Sequence, residues 1–201
     1  RRIGELWEPF CILPFCYPIK NITLFEPPTF EDVRTKLINS NTQLVMNLQS
    51  SDREKQLLIK NYNDMCDILT SGKINLKLDL HFTDKTYNYN IDFKSSFNSN
   101  EKGNASRLFM ISSIYTHISK NNKQILLVRE KEDGNNDYLK ELKESKKFEV
   151  YCSESAYSKI HEYTGYNIKQ WIDINIDWKN DMSKELYSYL DKNGLTKYLV
   201  W

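Results

Sequence analysis

The stretch from Lys77 to Lys94, Lys-Leu-Asp-Leu-His-Phe-Thr-Asp-Lys-Thr-Tyr-Asn-Tyr-Asn-Ile-Asp-Phe-Lys, alternates polar and apolar side chains on both sides of a turn. This is the period-2 pattern of a β-hairpin. Leu76, Leu78, Leu80 and Phe82 fall on one face of the first strand, and Tyr87, Tyr89, Ile91 and Phe93 form the matching face of the second. The opposite face carries Lys77, Asp79, His81, Asp92 and Lys94. Register decides whether those charges meet, because a slip of one residue turns every side chain of a strand over. With Asp84 and Lys85 as a two-residue turn, Thr83 faces Thr86 and Asp79 faces Asn90; Asp92 then lies diagonal to Asp79, roughly 7 to 8 Å away at the backbone. A four-residue turn keeps that parity, and a three-residue turn destroys it.

Two carboxylates and a lysine on one hairpin face suit a hard cation, since Mg²⁺ takes carboxylate oxygens, keeps several waters and readily binds phosphate. The arrangement resembles the PD-(D/E)xK nuclease superfamily, with Asp79 as the first acid and Ile91-Asp92-Phe93-Lys94 as the (D/E)xK element. Leu78 stands where the family's Pro often precedes the first acid, and the second acid is Asp rather than the commoner Glu. In that family a helix before the hairpin often packs behind the site and lends another acid, for which Glu54 and Asp64 are the candidates here, with surface charge the favoured reading of each.

At 201 residues the chain fits a single domain, enough to bury roughly 70% of the surface its unfolded form exposes. A net charge of +1 is unremarkable, but Lys73 to Lys131 holds ten basic residues against five acids. A polyanion would be drawn to that middle third. Cys11, Cys16, Cys66 and Cys152 lack paired zinc-ligand spacing. With no secretory apolar region and no run long enough to span a membrane, a reducing cytoplasm with free thiols is expected. The chain starts at Arg1 rather than Met, which leaves room for a preceding segment.

Residues 1–50 read as an N-terminal arm followed by a short helix. Arg1 to Pro28, rich in Pro and aromatics, is expected to be irregular, covering core or reaching a partner. Thr29 starts a helix to about Ile38 with Glu31 and Asp32 in its first turn, and residues 39–50 are ambiguous. Ser51 with Glu54 forms a capping box for a helix to about Thr70, stopped by Ser71-Gly72. Beyond the hairpin, residues 95–104 form a polar loop leading into a helix at about Ala105. Ser95, Ser96, Asn98, Asn100, Lys102, Asn104 and Arg107 are the candidate DNA contacts, as amides, hydroxyls and cations suit phosphates and base edges. A buried strand at Ile125–Val128, a helix from about Asp137 to Ser145 and a strand at Phe148–Cys152 follow. Helices from Ser153 to Tyr163, stopped at Gly165, and from about Met182, stopped by Asn193-Gly194, fill the C-terminal part, residues 154–201. Trp171, Trp178 and Trp201 are expected in packing, and His81 in a structural role.

The element order predicts an α/β fold, a mixed central β-sheet flanked by helices, with residues 51–153 as its core. The same order resembles the restriction-endonuclease-like sandwich. The resemblance, closest to type II restriction enzymes, implies Mg²⁺-dependent cleavage of double-stranded DNA by a homodimer. Repair, recombination and phage-processing nucleases carry the same signature. The reading from another class is a non-catalytic DNA-binding module in which Asp79, Asp92 and Lys94 form a surface ion-pair cluster.

Overall fold

The computed structural model describes residues 2–68, 74–97 and 102–199. They form two compact units, one of Arg1–Leu24 with Asp79–Trp201 and one of Phe25–Leu78. The smaller unit is a pair of packed helices, α2 (Phe30–Met46) and α3 (Asp52–Ile68), each started by a reciprocal capping box, Thr29 with Asp32 and Ser51 with Glu54. α2 runs a further two turns beyond the expected end, through the ambiguous stretch. Arg34 ties the pair together by reaching both Glu31 in its own helix and Asp67 in α3. The expected Ser71-Gly72 stop lies outside the described residues.

The larger unit is the predicted α/β sandwich. Its helix α1 (Arg2–Cys16) precedes a two-residue strand, β1 (Thr23–Leu24). The sheet continues with β2 (Leu80–Thr83), β3 (Asn88–Lys94), β4 (Asn122–Val128) and β5 (Glu149–Cys152), in spatial order β1-β2-β3-β4-β5. β1, β2 and β3 pair antiparallel; β3, β4 and β5 pair parallel. The parallel steps are made by α4 (Lys102–Ile118) and α5 (Asp137–Glu144), so β3, β4 and β5 all end at the same edge of the sheet.

The hairpin forms with a four-residue turn rather than the two-residue one: Phe82 faces Tyr89, His81 faces Asn90 and Leu80 faces Ile91. The reason is local hydrogen bonding. Asp84 Oδ1 accepts the N–H groups of Thr86 and Tyr87, both at 2.8 Å, and the Thr83 hydroxyl donates to the Tyr87 carbonyl at 3.0 Å. Parity survives the change, so the predicted faces survive for β2 and β3. The strand starts later than expected, however. Leu76, Lys77 and Leu78 precede it in the smaller unit, where Lys77 pairs with Glu26 at 2.9 Å.

One face of the sheet sends Leu80, Phe82, Tyr89, Ile91, Phe93, Ile125 and Leu127 into a core shared with α1, α6 (Glu154–Thr164) and α7 (Ile168–Asn175). α6 stops where Gly165 takes φ 88, close enough to Ile19 that a Cβ would sit 3.0 Å from it. α4 covers the other face, so the strands are buried on both sides. α8 (Trp178–Asp181) and α9 (Lys184–Lys192) complete the C-terminal part. Trp171 packs on Phe10, and Trp201 lies outside the described residues.

The irregular arm expected over residues 1–28 is corrected by α1, which holds Pro9 and Pro14 within its span. A proline inside a helix costs about 3 kcal/mol, yet Trp7, Cys11 and Phe15, spaced by four, are at most 1% exposed. Burying Trp7 and Phe15 at roughly 1.5 to 3 kcal/mol or more each, with Cys11 between them, offsets that cost. Trp7 also donates from Nε1 to the Tyr157 hydroxyl at 2.9 Å and meets Phe93 edge-on. Trp7→Ala should therefore lower the unfolding free energy by about 3 to 5 kcal/mol in urea titrations; a change below about 1 kcal/mol would show that α1 is only a cover.

Candidate active site

Asp92 and Lys94 sit two residues apart at the carboxyl end of β3, on the face beneath α4, beside Leu126 and Val128 of β4. The same face carries His81, whose Nδ1 lies 2.8 Å from Asn90 Oδ1 and whose ring meets Tyr115 of α4. His81, Asn90 and Asp92 are all at least 96% buried. The polar face of the hairpin is thus interior.

Asp92 is 1% exposed, with the Lys94 ammonium on its Oδ2 and the Arg107 guanidinium 3.9 Å from its Oδ1. Neither carboxylate oxygen has a well-aligned hydrogen bond. Burial is the stronger influence and pushes the Asp92 carboxyl up from 3.8 to about 6, against the pull of Lys94 and with a further push from Asp79. Asp79 stands just before β2, half-buried, and its Oδ2 accepts the Phe93 N–H at 2.7 Å. Continuing the hairpin register by one pair would place Asp79 directly opposite Asp92 rather than diagonal to it. The backbone of the motif residue Phe93 thereby fixes the first acid beside the second.

A third acid comes from α1. Burial raises the Glu8 carboxyl, the charges of Asp79 and Asp92 raise it further, and Lys94 lowers it. Glu8 does not stand out in the sequence, because the prolines around it argue against a helix. The available signal was that Glu8 is the single charged residue between Leu6 and Ile19, next to the buried Trp7. The acids proposed from the preceding helix are Glu54 and Asp64. Both lie on α3 in the smaller unit, where Glu54 caps Ser51 through Oε2 and Asp64 is exposed.

Of the candidate DNA contacts, Arg107 is brought to Asp92 and joins the charged cluster. Ser95 and Ser96 are half-buried just past Lys94, and the Ser95 carbonyl accepts the Glu130 N–H at 3.0 Å. Asn104 is half-buried in the first turn of α4. Asn98, Asn100 and the Lys102 side chain lie outside the described residues.

Among the described residues, no three His, Cys, Asp or Glu groups are gathered closely enough to enclose a metal. Mg²⁺ does not need that, since one or two carboxylates with waters and a phosphate complete its shell. The buried Asp92 carboxylate, held against the Lys94 ammonium and the Arg107 guanidinium, fits such an ion. All four cysteines are free thiols, as expected. Among the described residues no helix is long and apolar enough to cross a membrane.

The Asp92 environment gives a stability test. Its folded carboxyl binds a proton up to about pH 6 while the unfolded one releases it near 3.8. Stability from this group is therefore full below about pH 4 and lost as pH rises through about 6. Asp92→Asn, which cannot ionise, should raise the melting temperature at pH 7 in metal-free buffer, by the equivalent of on the order of 2 kcal/mol. The difference from the wild type should vanish by pH 4. Lower stability of the variant at pH 7 would mean the ion pair with Lys94 outweighs burial. No protein-family model, curated protein or solved structure matches this chain, so the functional reading rests on the geometry of this cluster.

Proposed function

We propose that the chain is a Mg²⁺-dependent endonuclease that hydrolyses DNA phosphodiester bonds, acting as a type II restriction enzyme on double-stranded DNA. The observation that carries this reading is the buried, under-compensated Asp92 carboxylate held against Lys94, with Asp79, Glu8 and Arg107 at the same sheet edge. An ion pair kept only for stability gains little from burial, because desolvation can exceed the attraction. Perturbed carboxyls clustered with cations are typical of sites built for chemistry. This counts against the surface ion-pair reading, in which the three residues would be exposed and worth about 0 to 1 kcal/mol.

Asp79 and Asp92 are the residues that would hold Mg²⁺, and the ion would supply a Lewis acid for a phosphate oxygen and lower the pKa of an attacking water. The Lys94 ammonium, released from Asp92, would donate to a non-bridging oxygen as charge builds on phosphorus. A Glu8 carboxylate oxygen would take the proton of the attacking water, and its raised pKa makes it a better acceptor. The new bond is from water oxygen to phosphorus; the bond to the sugar oxygen breaks, and that oxygen takes a proton from solvent. Arg107 would hold the phosphate in place. Cutting both strands requires two such sites, which calls for a homodimer.

Digestion of a sequenced plasmid with Mg²⁺, followed by mapping of the ends, tests the reading directly. Discrete fragments are expected; a smear would point to a nonspecific or repair nuclease, and no cleavage would sink the enzyme assignment. Asp92→Ala should remove cleavage while leaving duplex binding in Ca²⁺ largely intact, and full activity in that variant would dismiss the residue. Lys94→Arg should be nearly inactive because guanidinium differs from ammonium in reach and geometry. Glu8→Gln should lower single-turnover cleavage by about 10²-fold or more with unchanged duplex affinity; an unchanged rate would remove Glu8 from the proton path.

A further inference from the structure

The opposite end of the sheet holds a second polar cleft. It lies between the last turns of α4 and α5 and the amino ends of β4 and β5, and encloses about 460 Å³. β3 separates it from Lys94 by seven residues, roughly 20 Å of strand. Its walls carry Lys123, Lys146 and Lys147 against one acid, Glu149, with the Ser113 hydroxyl and Gln124 among them. Lys123 is partly occupied, 4.0 Å from Glu149 and stacked over Tyr87. Lys147 Nζ reaches only the neutral Ser113 hydroxyl, at 2.6 Å. Among the described residues no acid pairs with Lys146 or Lys147.

Gln124 adds an independent sign. It is 5% exposed, it lines the cleft, and its side-chain Nε2 has no hydrogen-bond partner. A buried amide donor is ordinarily satisfied, so an acceptor belongs here. Lysines near helix carboxyl ends are often explained by the helix dipole, but each end amounts to only about half a charge. Here the Tyr115 carbonyl of α4 already accepts the Ser119 N–H and the Asn122 side-chain amide, and the Glu141, Leu142 and Lys143 carbonyls of α5 accept from Ser145 and Lys146. The cleft keeps its positive character, with three lysines against one carboxylate.

We propose that this cleft binds the oxyanion of a phosphate ester, with Lys146, Lys147 and the Gln124 amide as its donors. The site stands apart from the nuclease reading and does not depend on it. A cleft of this volume falls in the range of small-molecule sites, so the phosphate can belong to a mononucleotide-sized ligand or to a nucleic-acid backbone passing over the edge.

The test is titration of the metal-free full chain with inorganic phosphate, with a nucleoside 5′-monophosphate and with a short DNA duplex, observing the Gln124 side-chain NH₂ signal by NMR. Saturable movement of that signal is expected. Lys146→Ala with Lys147→Ala, both at the surface, should weaken binding by about tenfold or more, and Gln124→Leu by about tenfold. Saturation by the monophosphate indicates a small ligand, and saturation by the duplex alone indicates a backbone contact. No saturable shift with any of the three probes, or affinity unchanged in the folded lysine variant, would overturn the proposal.

Discussion

The burial of Asp92 under α4 is the constraint on which the charged end of this sheet depends. Taking a carboxylate to 1% exposure removes its water, and the effective cost is several kcal/mol unless charge is returned to it. Lys94 from the same strand and Arg107 from the covering helix return it. The rest of the unit provides the stability that lets this arrangement persist. The sheet packs on both faces, and the stacked Phe82 and Tyr89 rings, 4.6 Å apart, bind the hairpin to the α6 side through Tyr163.

α1 joins that core to the charged cluster within two adjacent residues. Trp7 is sealed among Phe93, Tyr157 and the sheet, and Glu8 beside it feels Asp79, Asp92 and Lys94. The carboxylate is therefore positioned by the packing of its neighbour and not by a hydrogen-bonded loop. A change that loosens Trp7 would alter stability and the electrostatics of the cluster together, so the two effects need separate readouts.

The parallel crossovers β3–α4–β4 and β4–α5–β5 give the sheet two chemically different ends. The carboxyl ends of the strands, where Lys94 and its neighbours lie, are where open α/β sheets usually hold ligands. The amino ends carry the lysine-lined cleft. Of the basic residues between Lys73 and Lys131, Lys94 and Arg107 go to one end and Lys123 to the other, where Lys146 and Lys147 from further along the chain join it.

The sequence alone determined the fold class and most elements of the larger unit, because period-2 alternation, capping boxes and helix stops are encoded within a few residues. It also placed Asp79, Asp92 and Lys94 together, since any hairpin turn of even length keeps their face. The number of turn residues was not legible, as it depended on which backbone groups the Asp84 and Thr83 side chains capture. α1 was misread because prolines speak against a helix locally, while the burial of Trp7, Cys11 and Phe15 acts only after the chain has folded. For the same reason Glu8 was invisible as a partner of residues some seventy positions later in the chain. Only tertiary structure brings it there, and only tertiary structure buries Asp92, because desolvation depends on what covers a side chain and not on its neighbours in sequence.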